Sequence, residues 1–172
     1  MTAIDSFRLR EEPLHADLAA VRSIVESTDF FREDEVQIAC ELVEERLAKG
    51  LASGYRFLFA DPIDAPGQAI GYTCFGEIPC TLGSYDLYWV AVADRHRGQR
   101  IGQWLLAETE QRIRTLGGRR IYIETSGQDL YASTQGFYTR CGYALAATLE
   151  DFYAAGDPKL IYVKALAATT GL

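Results

Sequence analysis

Asp86-Leu87-Tyr88-Trp89-Val90-Ala91-Val92, a polar link from Ala93 to Arg97, and then Arg97-Gly98-Gln99-Arg100-Ile101-Gly102 form the stretch from which the fold follows. The first run is apolar, β-branched and aromatic, which predicts a strand. A helix is expected from Ile101 to Leu116, stopped by Gly117-Gly118. Free amides at a helix start, added to the helix dipole, form an anion site. Gly98 and Gly102 permit close backbone approach, and Arg97 and Arg100 add positive charge, so a pyrophosphate suits this cradle. There is no G-K-[ST] ending and no G-x-G-x-x-G, which sets aside a triphosphatase loop and a dinucleotide fold. A tight strand-to-helix turn shaped by the two glycines accounts for the same residues without a ligand.

Upstream, Phe7 to Arg10 alternates as a short opening strand. Pro13 sits where a helix can begin, and Leu14, Leu18, Val21, Ile24 and Val25 make one apolar stripe. A second stripe is Val36, Ala39, Cys40, Val43 and Leu47, with Gly50 as its stop. Tyr55 to Ala60 and Ala69 to Phe75 read as strands joined by a turn-rich connection. Downstream come a strand at Arg120 to Thr125, a helix at Ala132 to Cys141, and a strand at Tyr143 to Leu149. After a Gly156-Asp157-Pro158 turn, a last strand runs from Leu160 to Lys164. The order predicts an α/β (α+β) mixed sheet with helices on both faces, forming a single domain over residues 1–172.

Composition agrees with a globular chain: of 172 residues, 48% are hydrophobic and 24% charged. Neither a membrane-spanning run nor a signal-peptide core is expected, so the expected compartment is the cytoplasm. The net charge of −7 argues against nucleic acid and anionic membrane as partners. Yet Arg95, Arg97, Arg100, Arg112, Arg114, Arg119 and Arg120 crowd into one stretch, which suits a small anionic ligand or a solvated helix face. Cys40, Cys74, Cys80 and Cys141 lack metal or disulfide spacing and read as buried reduced thiols. No metal is expected.

Val90-Ala91-Val92 followed by Arg97-x-x-x-x-Gly102 resembles motif A of the GNAT superfamily of acyl-CoA-dependent acyltransferases. Phe137-Tyr138-Thr139-Arg140-Cys141-Gly142-Tyr143 resembles that family's F-Y-x-x-x-G-[FY] signature, and the element order is similar from Phe7 to Lys164. Three departures stand out. Arg100 occupies the loop's middle glycine, Tyr131 stands where an asparagine often bonds the pantetheine arm, and the loop from Glu124 to Tyr131 is about two residues longer.

The resemblance implies an N-acetyltransferase that uses acetyl-CoA as co-substrate. Its acceptor is a small-molecule amine, an amino acid or a peptide, and a homodimer is compatible with it. A non-catalytic acyl-CoA-binding regulatory module of the same fold is the alternative. Carried over residue by residue, Arg97, Gly98, Gln99, Arg100, Ile101, Gly102 and Gln103 hold the diphosphate. Val90, Ala91 and Val92, on a bulged strand splayed from its neighbour, contact the pantetheine, as does Tyr131. Tyr138 becomes the general acid toward the leaving thiolate. Asp86 and Glu124 compete as general base, with Glu77 a third candidate. The acceptor walls are expected at Phe30, Phe31, Glu33 to Glu45, and a loop from Asp151 to Asp157.

Overall fold

The computed structural model describes residues 3–167. Its elements are β1 (Phe7–Arg10), α1 (Asp17–Glu26), α2 (Glu33–Lys49), β2 (Arg56–Pro62), β3 (Gly71–Glu77), β4 (Ser84–Val92), α3 (Ile101–Thr115), β5 (Arg120–Ser126), α4 (Ala132–Arg140), β6 (Ala144–Ala154) and β7 (Asp157–Ala165). They build a seven-stranded mixed sheet in the order β1-β2-β3-β4-β5-β7-β6. Only the β4–β5 pair is parallel among the strand pairings described. The expected fold class and element order are those observed. The chain divides into two compact units, one of residues up to Gly76 with Trp89–Thr109, the other of Glu77–Tyr88 with the residues from Glu110 on.

In the first unit α1 and α2 cover one face of β2 and β3. Val21, Ile24, Val25, Val36, Ala39, Cys40 and Val43 pack with Phe57, Phe59, Tyr72 and Cys74. Each valine, isoleucine and phenylalanine among them contributes about 1.5–3 kcal/mol when fully buried, so this cluster is a main source of the unit's stability. α2 is acidic in its first turn and basic in its last, which complements its dipole, and it ends at Gly50 with φ +60°. The opposite face of β3 meets α3. Thr73 Oγ1 and Thr109 Oγ1 lie 2.8 Å apart, and Leu105 Cδ1 stands beside Gly71.

α1 starts later than its apolar stripe suggests. The Leu14 amide donates to Asp17 Oδ2 at 2.6 Å, which holds residues 13–16 in a turn and leaves Leu14 exposed. Asp17 and Asp61, both with fully buried side chains, share Arg10: its guanidinium reaches Asp17 at 2.7 and 2.8 Å and Asp61 at 2.9 and 3.1 Å, and lies 4.6 Å above the Phe59 ring. This cluster ties β1, α1 and β2 together.

In the second unit β5 pairs with β4, β7 pairs with β5, and β6 closes the edge. Glu110, near the end of α3, accepts from Lys164 Nζ at 2.8 Å through both oxygens, while the same ammonium donates to the Cys141 carbonyl. Asp151 to Asp157 is not a loop. β6 runs through Ala154 and turns in two residues, with Gly156 at φ +77°, into β7. The acidic Glu150-Asp151 pair obscured this strand because all of β6 except Ala147 is exposed, so no burial alternation marks it. Pro158, which has no amide to donate, falls where the β6–β7 register is irregular. The cysteines also differ from expectation: Cys40 and Cys74 are buried, Cys141 is half-buried, and Cys80 is exposed in a turn with φ +62°. All four are free thiols.

Candidate active site

The strand that precedes the helix start carries an extra residue. The Ile78 amide donates to the Ser84 carbonyl, and the Ala93 amide donates to the Ile70 carbonyl. Eight steps along β3 therefore match nine along β4. Side-chain direction places the surplus in β4. Tyr85 stands against Gly118, where a Cβ would come within 2.9 Å of its ring and 2.2 Å of Ile113 in α3. Trp89, four residues on, packs instead with the α1–α2 cluster. Residues four apart on a regular strand share a face, so the alternation breaks between them, as a β-bulge requires. The parallel ladder of β4 with β5 extends only from Ser84↔Arg120 to Leu87↔Ile123. Both strands continue past it, Val90 and Val92 half-buried and Ala91 buried.

Beyond β4, a short 3-10 turn over Asp94–His96 is pinned from three sides. The Asp94 amide donates to Ser27 Oγ at 3.1 Å, the His96 amide to Ala93 at 2.8 Å, and the Arg97 amide to Asp94 at 3.0 Å. Arg95 Nε donates to His96 Nε2, and burial together with the Arg95 charge lowers the His96 pKa, so the ring is a neutral acceptor there. Arg97 pairs with Asp94 at 3.2 Å and lies 5.1 Å from the Phe30 ring.

Gly98 and Arg100 then both take positive φ, +76° and +63°. The left-handed region costs a non-glycine residue about 1–2 kcal/mol, so Arg100 pays for a conformation that glycine adopts freely. In return the chain turns directly into α3, whose first intrahelical bond runs from the Trp104 amide to the Arg100 carbonyl. Among the described residues, none of the amides from Gly98 to Gln103 donates to a backbone carbonyl. Ile101, Gly102 and Gln103 head the helix and cannot do so within it. The Arg100 side chain is exposed. This run fits a diphosphate: donors, a helix N-terminus and a cation converge on one turn.

The seven arginines do not form one patch. α3 places Arg112 about 16 Å along its axis from Ile101. Arg114 is 3.6 Å from Glu110, and Arg119 donates to the Leu82 carbonyl. Only Arg95, Arg97 and Arg100 stay near the loop, because a helix separates in space what is close in sequence.

In the second unit the two competing carboxylates share a sheet face. Asp86 is directly opposite Tyr122 in the parallel register, and Glu124 is two residues along β5 on the same side. Glu124 is bound to Lys159 Nζ at 2.5 Å, and that ammonium sits 3.8 Å above the Phe152 ring. The Lys159 side chain is only 13% exposed, whereas that of Glu124 is half exposed, so water reaches the pair from the carboxylate side. Asp86 is half-buried. Its pKa is raised first by that burial and then by the Glu124 charge, with Lys159 opposing. Glu77 closes β3 as an exposed residue.

Tyr138 lies buried on α4 among aromatic rings, with centroids of Phe137, Tyr143 and Tyr162 at 5.5, 6.1 and 6.0 Å. Burial pushes its phenol well above the usual tyrosine value, so it holds its proton through the neutral range. Tyr131 ends the 3-10 turn Asp129–Tyr131 and caps α4. The Lys159–Glu124 and Arg10–Asp61 pairs escaped the sequence reading because they join residues 35 and 51 positions apart without a local motif. Among the described residues no cluster of three or more His, Cys, Asp or Glu could hold a metal ion, and no helix is long and apolar enough to cross a membrane.

Known proteins with this arrangement are numerous. The model of the acetyltransferase (GNAT) family matches residues 20–143. A proposed GNAT-family acetyltransferase from Desulfovibrio desulfuricans is 45% identical, with a TM-score of 0.89 over 94% of this chain and 99% of that one. The aminoglycoside 6'-N-acetyltransferase from Enterococcus faecium shares the fold at 17% identity, with a TM-score of 0.73 over 95% and 99%. The ribosomal-protein-S18-alanine N-acetyltransferase from Escherichia coli does so at 16%, with a TM-score of 0.67 over 96% and 99%. No protein of curated function matches the chain by sequence. From the bulged strand and glycine-like turn to the match across residues 20–143, the chain belongs to the GNAT family of acetyltransferases.

Proposed function

We propose that this chain is an N-acetyltransferase that moves an acetyl group from acetyl-CoA directly to an amine acceptor, with residues 1–172 acting as one domain. The observation that carries this reading is the turn at Gly98–Arg100, where an arginine accepts a left-handed φ and the following helix opens a row of unpaired amides. Strain of this kind persists where function rewards it. Arg97, Gly98, Gln99, Arg100, Ile101, Gly102 and Gln103 hold the diphosphate. The backbone of Val90, Ala91 and Val92, just past the bulge, lines up the pantetheine arm, and Tyr131 borders it. The family match spans parts of both compact units, which supports treating them as one catalytic domain.

Acetyl-CoA supplies the activated thioester; the protein supplies proton handling and orientation. Asp86 takes the proton from the attacking ammonium or amine, directly or through one water. Its raised pKa suits a base, whereas Glu124 is already engaged in an ion pair with Lys159. An amide near Val90 offsets the charge that develops on the carbonyl oxygen. Tyr138 stays protonated and donates toward the departing sulfur. The acceptor is an amine: a solved neighbour from Vibrio cholerae is a spermidine/spermine N-acetyltransferase, and others are an aminoglycoside 6'-N-acetyltransferase and a ribosomal-protein-S18-alanine N-acetyltransferase.

Thiol release from acetyl-CoA, measured across spermidine, kanamycin, free amino acids and Ala-initiated peptides, tests the reading. At least one amine is expected to release CoA well above the blank. Saturable acetyl-CoA binding with no acceptor above the blank would establish a binding module instead. Gly102→Glu places bulk and negative charge among the amides and is expected to abolish CoA binding in calorimetry; unchanged affinity removes the loop from the site. Tyr138→Phe is expected to reduce turnover far more than CoA affinity.

A further inference from the structure

Lys159 has no part in the chemistry described above, yet it occupies a constrained place. Its Nζ is held between Glu124 at 2.5 Å and the Phe152 ring at 3.8 Å, with Tyr153 at 5.8 Å. The β5–β7 register pairs Ser126 with Lys159 and Glu124 with Ile161. Antiparallel partners share a face, so Lys159 projects from the side of the sheet that carries Tyr122, Glu124 and Asp86.

The geometry points to Lys159 as a positioning residue for the reaction: by pairing with Glu124 on the sheet face that carries Asp86, it offsets the negative charge that Asp86 faces, and so sets the pH at which Asp86 becomes a base. This inference rests on the assignment of Asp86 as base and deepens it. Two carboxylates facing one another without a cation would ionise in two coupled steps, each belonging to the pair. A single ammonium held against one of them separates the roles. The ring of Phe152, itself half exposed, adds a cation–π contact to the same ammonium.

The charged and titratable groups that face Asp86 within this unit are few. β5 contributes Arg120, which pairs with Ser84 in the register, together with Tyr122 and Glu124; β7 contributes Lys159 and, two residues before it, Asp157, which accepts from Ser126 Oγ at 2.6 Å, and β4 itself carries Tyr88 two residues along. Glu77, opposite Tyr85 by the Ile78–Ser84 pairing, shares the other face. The direction found for Asp86 accords with this inventory: burial and Glu124 raise its pKa, and Lys159 lowers it.

The test is a carbon-13 carboxylate titration of the labelled full-length chain, with the Asp86 resonance assigned by its loss in Asp86→Asn. Lys159→Met is expected to raise the Asp86 midpoint by about one pH unit, a tenfold tighter proton. Lys159→Arg is expected to keep it within about 0.3 unit, because a guanidinium preserves both the ion pair and the ring contact. Glu124→Gln lowers it, and Lys159→Met with Glu124→Gln returns it toward the wild-type value, since one charge of each sign has gone. An unmoved midpoint in Lys159→Met with a native amide spectrum overturns the proposal. Should Lys159→Met fail to fold, Glu124→Gln decides it: a midpoint that does not fall is equally fatal. Failure of the underlying assignment reads out elsewhere, as wild-type turnover by Asp86→Asn.

Discussion

Two carboxylate pairs in this molecule each have one cation nearby, and they have opposite fates. In the first, Asp17 and Asp61 both bind Arg10, with fully buried carboxylates. A guanidinium has five donors in a planar fork, and here Nε, Nη1 and Nη2 reach both acids. A third acceptor site on each is used too: the Leu14 and Gly67 amides donate to Asp17 and Asp61. In the second, Lys159 has one ammonium and gives it to Glu124, so Asp86 is left half-buried with a raised pKa. Equal numbers of charges give a permanent brace in one place and a titrating group in the other. Donor geometry makes the difference.

The largest effect should come from removing the brace. Arg10→Met leaves two carboxylates buried without a cation, and breaking a buried pair in this way costs about 3–5 kcal/mol. Thermal melting is expected to fall by about 10 °C. A loss below about 1 kcal/mol in urea unfolding would erase the contrast between the two clusters.

Asp86→Asn removes the titrating member of the other pair. Turnover is expected to drop about a hundredfold or more while CoA affinity stays within about twofold. Retained turnover would make the second cluster as structural as the first.

Arg10→Lys sharpens the comparison by giving the first cluster the cation of the second. One ammonium cannot reproduce the fork, so a loss of about 2 kcal/mol is expected, between wild type and Arg10→Met. Stability equal to wild type would show that charge alone, and not donor geometry, distinguishes the pairs.

The smallest effect concerns stability against pH. The folded Asp86 pKa is raised, so the folded protein binds this proton more tightly than the unfolded chain does. Ionised Asp86 therefore subtracts stability above its folded pKa, and the deficit disappears as pH falls below the unfolded value of about 3.9. Asp86→Asn is expected to stabilise the protein at pH 7.5 by less than about 1 kcal/mol, given how much water reaches a half-buried group. The gain should close toward pH 4. A gain that grows in acid has the wrong sign and would remove the raised pKa from the account.

Legibility followed the range of the interactions. The α2 stripe of Val36, Ala39, Cys40 and Val43 was evident from spacing, and those residues are buried. The strand–turn–helix from Asp86 to Gly102 was evident from its apolar run and glycines, although its backbone angles were not. That Arg100 adopts φ +63° is a property of the folded turn, since arginine alone disfavours it. Leu14 fitted the apolar stripe of α1 but is exposed, because Asp17 captures its amide. The arginine cluster dissolved once α3 spread it along its length.

What the amino-acid sequence determined by itself was local: periodicity, glycine stops and two motifs specify the elements, their order and the family. What only the tertiary structure decided was which charges meet. Arg10 reaches Asp61 across 51 positions and Lys159 reaches Glu124 across 35. Strand register and sheet order bring such residues together, and neither leaves a local trace in the chain, because a side chain's partner across a sheet is set by pairing and not by its neighbours in sequence.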